Sequence, residues 1–314
     1  MTSTLKYLLL LPLLFLVLAV SGQNKSALNG RWDLSIEKDG STLPAWLEIR
    51  HSGHLGLVGR FVYAFGSARP VAEVVETGSQ GGEFSFSIPA QWEAEKGTMD
   101  FTGTLVDEKM SGTMRYVDGK TFSWTGVRAP LLDRKERPIW GAPRQLFNGK
   151  DLSGWHASGK NQWMVEDGVL VSKSSGSNLI SDEKFTDFKL HLEFRYPKDG
   201  NSGVYLRGRY EVQIADDQGK YPSDIYLGGV YGFLEPNEMA AKAAGEWQVY
   251  DITLIGRRVT VVANGKTIIH DQTIPGITGG ALDSKEGNPG PIMLQGDHSA
   301  IAYRNVVITP VMEE

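Results

Sequence analysis

Along this chain apolar residues recur at every second position far more often than at every third or fourth. From Leu28 to Arg128 the segments GRWDLSIEK, LPAWLEIRH, LGLVGRFVY, PVAEVVET, GEFSFSIP, GTMDFTGTL, KMSGTMRYV and KTFSWTGVR alternate apolar with polar residues and are separated by turn residues. Successive side chains of a strand point to opposite faces of a sheet, so each segment reads as a half-buried strand. Sequential short strands of even spacing predict a meander closing into a small antiparallel barrel over 28–128.

Beyond Arg144 the alternation continues in longer stretches. LHLEFRY places Leu190, Leu192 and Phe194 on one face and His191, Glu193 and Arg195 on the other. Asn264-Gly265 between RRVTVVA and KTIIH, and Asp167-Gly168 between WMVE and VLVS, have the form of two-residue hairpin turns. These patterns suit a sandwich of two sheets, one of them concave and polar on its exposed face. The helical period is confined to NEMAAKAA, Asn237 to Ala244, with Gly245 as its cap. APLLDRKERPIWGA, residues 129–142, breaks the ladders with Pro130 and Pro138 and is read as the linker. The fold class is therefore all-β with a helical turn or two, and the 37 glycines supply the many turns it needs.

The N-terminal stretch adds a compartment. Lys6 precedes an apolar run from Tyr7 to Val20, and Val20-Ser21-Gly22 offers small residues for cleavage, so residues 1–22 are expected to be a secretory signal peptide. That predicts an exported protein with no stable membrane insertion after the leader is removed. The chain has no cysteine, so neither a disulfide framework nor a thiolate nucleophile is available. Roughly 290 residues remain, enough for two domains. A net charge of -5 with interspersed acids and bases argues against nucleic acid as a partner and for a neutral, polar one.

The polar partner has a place to bind. In NSGVYLRGRYEVQIAD, Asn201 to Asp216, Val204, Leu206, Val212 and Ile214 are expected to face a core, which leaves Tyr205, Arg207, Glu211 and Gln213 on the other face. An arginine, a carboxylate, an amide and a phenol together hydrogen-bond sugar hydroxyls well.

Six segments, LFNGKDLSGW, WMVEDGVLV, FTDFKLHLEFR, NSGVYLRGRYEVQIAD, GEWQVYDITLIGRRVTVVANG and GPIMLQGDHSAIAYRNVVI, resemble in order and spacing the 3-keto-disaccharide hydrolase family. The resemblance spans residues 143–311. It implies a concanavalin-like jelly-roll sandwich, cleavage of glycosides already oxidised at the 3-hydroxyl, and a periplasmic or secreted setting in bacteria. The LQGDH segment departs from the family by the glycine before Asp297. A three-residue likeness of Gly30-Arg31-Trp32 to the opening of lipocalin-type barrels is the counterpart upstream, with Trp32 expected to plug the barrel rather than to touch ligand.

A ketone at C3 acidifies the C2 proton, so a base can remove it, the aglycone at C1 can leave by β-elimination, and water can add to the enone. Glu211 is the candidate base, with His298, beside Asp297, and Asp216 completing the catalytic set. Arg207, Gln213, Gln295, Arg195, Tyr231, Trp247 and Asn201 are candidate oligosaccharide- or glycoside-binding residues. No cofactor is required; a divalent metal is compatible as an enolate clamp, with Asp216, Asp217, Glu211 and His298 as candidate ligands but no compact metal motif. Two rival readings remain open. One is a direct glycosidase, suggested by the spacing Glu211-Val-Gln213-Ile-Ala-Asp216, which needs two carboxylates about 5 to 9.5 Å apart. The other is a lectin-like module with aromatics and amides but no poised base.

Overall fold

The computed structural model of the chain describes residues 26–53, 56–77, 82–91 and 93–312. The expected leader, residues 1–22, lies outside the described residues. Among the described residues the secondary structure is strands and turns, and no helix is long and apolar enough to cross a membrane.

Nine strands form the N-terminal sheet: β1 (Gly30–Lys38), β2 (Ser41–Ser52), β3 (Gly56–Val62), β4 (Arg69–Val71), β5 (Val74–Thr77), β6 (Glu83–Pro89), β7 (Thr98–Val106), β8 (Lys109–Arg115) and β9 (Thr121–Arg128). Their order is β4-β3-β2-β1-β9-β8-β7-β6-β5, all antiparallel neighbours, so β1 pairing with β9 curls the meander into a nearly closed barrel. The inward residues build a core around Trp32, Phe61, Phe86, Phe101 and Trp124. Trp32 is fully buried, donates its indole N–H to the Leu28 carbonyl at 2.9 Å and carries the Arg128 guanidinium 3.8 Å over its ring, which is a plug and not a ligand contact. PVAEVVET, expected as one strand, is two: β4 pairs with β3 and β5 with β6, and the break at Ala72-Glu73 is where the barrel stays open.

Thirteen further strands follow: β10 (Arg144–Gln145), β11 (Trp155–Ala157), β12 (Trp163–Glu166), β13 (Val169–Ser172), β14 (Leu179–Phe185), β15 (Phe188–Arg195), β16 (Asn201–Leu206), β17 (Tyr210–Ala215), β18 (Gln248–Ile255), β19 (Arg258–Ala263), β20 (Lys266–Thr273), β21 (Gly290–Leu294) and β22 (Ile301–Pro310). They make an eight-stranded sheet, β12-β13-β22-β15-β18-β19-β20 with β10 beside β22, and a five-stranded sheet, β11-β14-β21-β16-β17. Leu190, Leu192 and Phe194 from the first and Val204, Leu206, Val212 and Ile214 from the second meet in one buried cluster. Both hairpin turns form as expected: Asn264 and Gly265 have φ of 52° and 82°, Asp167 and Gly168 50° and 79°, the paired positive angles a two-residue hairpin demands.

The expected helix at Asn237–Ala244 does not form. Its backbone groups are taken by other partners: Asn237 N–H by the Ile268 carbonyl, Lys242 N–H by Gln248 Oε1, Ala243 N–H by Glu246 Oε2, and the Ala240 carbonyl by the Asn264 amide. Eight residues are too short to hold a helix against such competition. The 129–142 segment is also anchored, with Arg134 paired to Asp187 at 2.6 Å and the Pro130 carbonyl accepting from Arg257.

The barrel sits against the sandwich. Trp46, on β2, belongs to the sandwich's buried cluster, meets Phe233 edge-on at 5.3 Å and lies so close to Gly276 that a Cβ there would collide with the indole. Beside it the Gly280 N–H donates to the Ala64 carbonyl at 2.8 Å. A buried charge cluster closes the other end of this junction. Glu286 pairs with Arg257, and Asp33 of β1 lies against Glu286; burial, and then the neighbouring Glu286 charge, hold the Asp33 carboxyl well above the usual carboxylate range.

Candidate active site

The β16–β17 hairpin builds the floor of a cleft on the outer face of the five-stranded sheet. Its register pairs Tyr205 with Glu211, Val204 with Val212 and Gly203 with Gln213. The apolar pair therefore points into the sandwich, and Tyr205, Glu211 and Gln213 point out. Their outer face is nevertheless covered: Tyr205, Glu211 and Gln213 are only 2%, 4% and 5% exposed. The cleft holds about 140 Å³ and is completed by Asn178, Asn201, Tyr231, Gln295, Asp297 and His298, by Gly279 and Gly280, and by Phe65 and Gly66 of the barrel. Larger clefts of about 440 and 450 Å³ border residues 131–139, but the charges at 133–137 there stand open to solvent.

Glu211 is the perturbed carboxyl at the cleft floor. Loss of solvent pushes its carboxyl up to about 8, against the opposing pull of the Tyr205 hydrogen bond and the His298 charge. Tyr205 Oη lies 2.9 Å from Glu211 Oε2 and 2.9 Å from the Gly279 carbonyl. A phenol has one proton. With Glu211 protonated, a chain runs from the carboxylic O–H to Tyr205 and from Tyr205 to Gly279; with Glu211 ionised, the phenolic proton turns to the carboxylate. Gly203 makes room for this carboxylate, since a Cβ there would collide with it.

At the rim, His298 Nδ1 lies 2.6 Å from Asp297 Oδ1. That hydrogen bond is the main reason the imidazole is held above its ordinary range, with Glu211 adding to it. The bond fixes the ring so that Nε2 is free to carry a proton into the cleft. Gln295 is 7% exposed, and its Oε1 finds no partner in the protein, an acceptor left for a ligand hydroxyl.

Of the residues singled out from the sequence, Glu211, His298, Gln213, Gln295, Tyr231 and Asn201 converge on this cleft. The other four lie elsewhere. Asp216 is five residues from Glu211, an odd spacing that puts it on the opposite side of the strand direction; its Oδ2 accepts from the Asp199 N–H across the open end of the hairpin. Arg207 starts the turn between Leu206 and Tyr210 with φ of 53°, and its buried guanidinium donates to the Tyr210 hydroxyl at 3.1 Å and the Gly256 carbonyl at 2.7 Å. Arg195 and Trp247 belong to the far face of the eight-stranded sheet, where Arg195 and Arg304 stack on the indole at 4.8 and 4.0 Å.

Of the candidate metal ligands only Glu211 and His298 share the cleft. Asp217 is committed to Lys220 and to the Leu227 N–H, and among the described residues no group of three or more His, Asp or Glu is arranged to hold an ion. Sequence reasoning left out Asn178, Phe65 and the 279–280 segment, which carry no local signal because they arrive from other strands and from the barrel. The alternation puts the Tyr205 phenol on the sugar-facing side but does not reveal its bond to Glu211.

Residues 142–309 match the profile of the family described as the 3-keto-alpha-glucoside-1,2-lyase-like domain. The chain belongs to this family. The family domain covers the sandwich and its cleft floor and stops short of the barrel. A 3-keto-disaccharide hydrolase from Bacteroides thetaiotaomicron is 31% identical over 119 residues, which span 34% of this chain and 36% of that protein. The chain thus spans about a third of that curated relative. Among solved structures, a candidate glycosyl hydrolase from Parabacteroides distasonis is 31% identical, with 56% of this chain and 92% of the other covered at a TM-score of 0.47. A second from the same organism is 27% identical, covering 54% and 98% at a TM-score of 0.44.

Proposed function

We propose that this family member cleaves glycosides whose sugar carries a ketone at C3, by elimination followed by hydration. Glu211 takes the C2 proton. The electron pair passes through the enolate and expels the C1 oxygen, leaving an enone, and the departing alcohol takes its proton from His298 Nε2. Water then adds across the C1–C2 double bond, and the sum is hydrolysis. Gln213, Gln295 and Asn201 hold ring hydroxyls and the enolate oxygen. Each positioned acid or base contributes on the order of a hundred- to ten-thousandfold.

The observation that carries this reading is a single desolvated carboxyl at the floor of a polar cleft, tuned to about 8, facing an imidazole at the rim. The second carboxylate of the cleft, Asp297, is occupied by His298, which weighs against two-carboxylate glycoside hydrolysis. A lectin cleft has no use for the tuned base. The family and the curated relative's name agree with a sugar substrate.

The test is product analysis on a 3-keto-glucoside and its unoxidised parent, with the wild type and Glu211→Gln, each with and without chelator. Cleavage of the keto sugar alone, lost in the variant, supports the elimination; cleavage of the parent overturns it in favour of direct hydrolysis. The reading includes export to the periplasm or medium by the N-terminal leader, checked by cell fractionation and N-terminal sequencing of the mature protein.

A further inference from the structure

The geometry points to a leaving-group subsite supplied by the barrel: Phe65 forms an apolar platform at the mouth of the cleft that selects glycosides with an aromatic or otherwise apolar aglycone. This rests on the elimination reading and specifies its substrate. Phe65 lies outside the family domain, which begins at residue 142, so the family's own chemistry does not account for it.

The cleft is lined by amides, carboxylates, phenols, an imidazole and glycines, and Phe65 is the one side chain there with no polar atom. Phe65 is 42% exposed, whereas aromatic residues of the barrel core such as Phe61 and Phe86 are buried. An exposed phenyl ring on a wall of a polar cleft is a surface that gains by covering.

The loop that carries it is fixed on two sides. Gly280 N–H bonds to the Ala64 carbonyl, Gly279 packs against Gly66 too closely for a Cβ, and Gly232, next to Tyr231, packs as closely against Ser67 and Ala68. Tyr63 braces the phenyl ring edge-on at 5.3 Å. The platform is therefore preformed, and little ordering cost falls on binding.

Depth decides which part of the substrate meets it. Glu211 and Gln213 lie at the closed floor, so the sugar ring that offers C2 and the C3 ketone occupies that level. His298, the proton donor to the departing oxygen, stands at the half-exposed rim with Phe65. The group leaving from C1 consequently passes along the rim and over the phenyl ring.

The experiment compares Phe65→Ala with wild type on an aryl 3-keto-glucoside and on a 3-keto-disaccharide whose leaving group is a sugar. The expected result is a fall of about tenfold in kcat/KM for the aryl substrate, carried by KM, with less than a twofold change for the disaccharide, in the range a single apolar contact gives. An equal fall for both, or none for either, overturns the subsite; unchanged thermal unfolding excludes a folding defect. If the wild type turns over neither keto substrate, the elimination reading fails by itself. The subsite is then read by calorimetry with unoxidised phenyl and methyl glucosides. A phenyl advantage that Phe65→Ala removes upholds it, and equal affinities overturn it.

Discussion

At the scale of single residues, the cleft is organised around one proton. Glu211 is kept off water, so the folded protein binds that proton more tightly than the unfolded chain does. Its contribution to stability consequently falls as the pH rises from the ordinary glutamate range to about 8. Glu211→Gln removes the cost, and thermal unfolding at pH 8 is expected to rise by roughly 2 °C or more while turnover drops at least ~100-fold. A melting temperature unchanged between the two proteins at that pH would contradict the desolvated carboxyl. Tyr205 favours the ionised form through its hydrogen bond. Tyr205→Phe should therefore shift the acid limb of the kcat/KM profile to higher pH; a lower rate with an unmoved limb would reduce the phenol to a packing role.

At the scale of elements, the hairpin of β16 and β17 sets the chemistry because its register puts a glycine opposite Gln213 and beside the carboxylate. Gly203→Ala is expected to push the Glu211 side chain aside and lower kcat/KM by about tenfold or more, since misplacement of a reacting group by ~1 Å can cost up to 100-fold. A crystal structure of the variant with Glu211 unmoved and full activity would refute it. The alternation of NSGVYLRGRYEVQIAD was enough to find this floor, but not to see that Arg207 lies in the turn between the strands and leaves the polar face. The same limit applies to NEMAAKAA, whose helical composition lost to hydrogen bonds with the side chains of Gln248, Glu246 and Asn264, all outside the segment.

At the scale of the whole molecule, the barrel and the sandwich form one working unit through Trp46 and the Asp33–Glu286–Arg257 cluster. Trp46→Ala empties a fully buried site and is expected to destabilise the protein by about 3–5 kcal/mol, read by denaturant unfolding. Asp33 retains a proton that the unfolded chain gives up, so the native state binds more protons above the ordinary aspartate range and stability declines as the pH is raised. Asp33→Asn should flatten that decline in melts from neutral to alkaline pH; an identical slope would show that the cluster is not its source.

The sequence by itself determined the strand pattern, both hairpin turns, the family and the acid at the cleft floor, because period-two alternation, paired positive φ angles and a carboxylate on a polar strand face are local properties. Only the tertiary structure decided that Arg195, Arg207, Asp216 and Trp247 point away from the cleft, that Tyr205 is bonded to the Glu211 carboxyl, and that Phe65 and Gly66 of another sheet form the wall. Those facts depend on contacts between segments far apart in the chain, which no local pattern encodes.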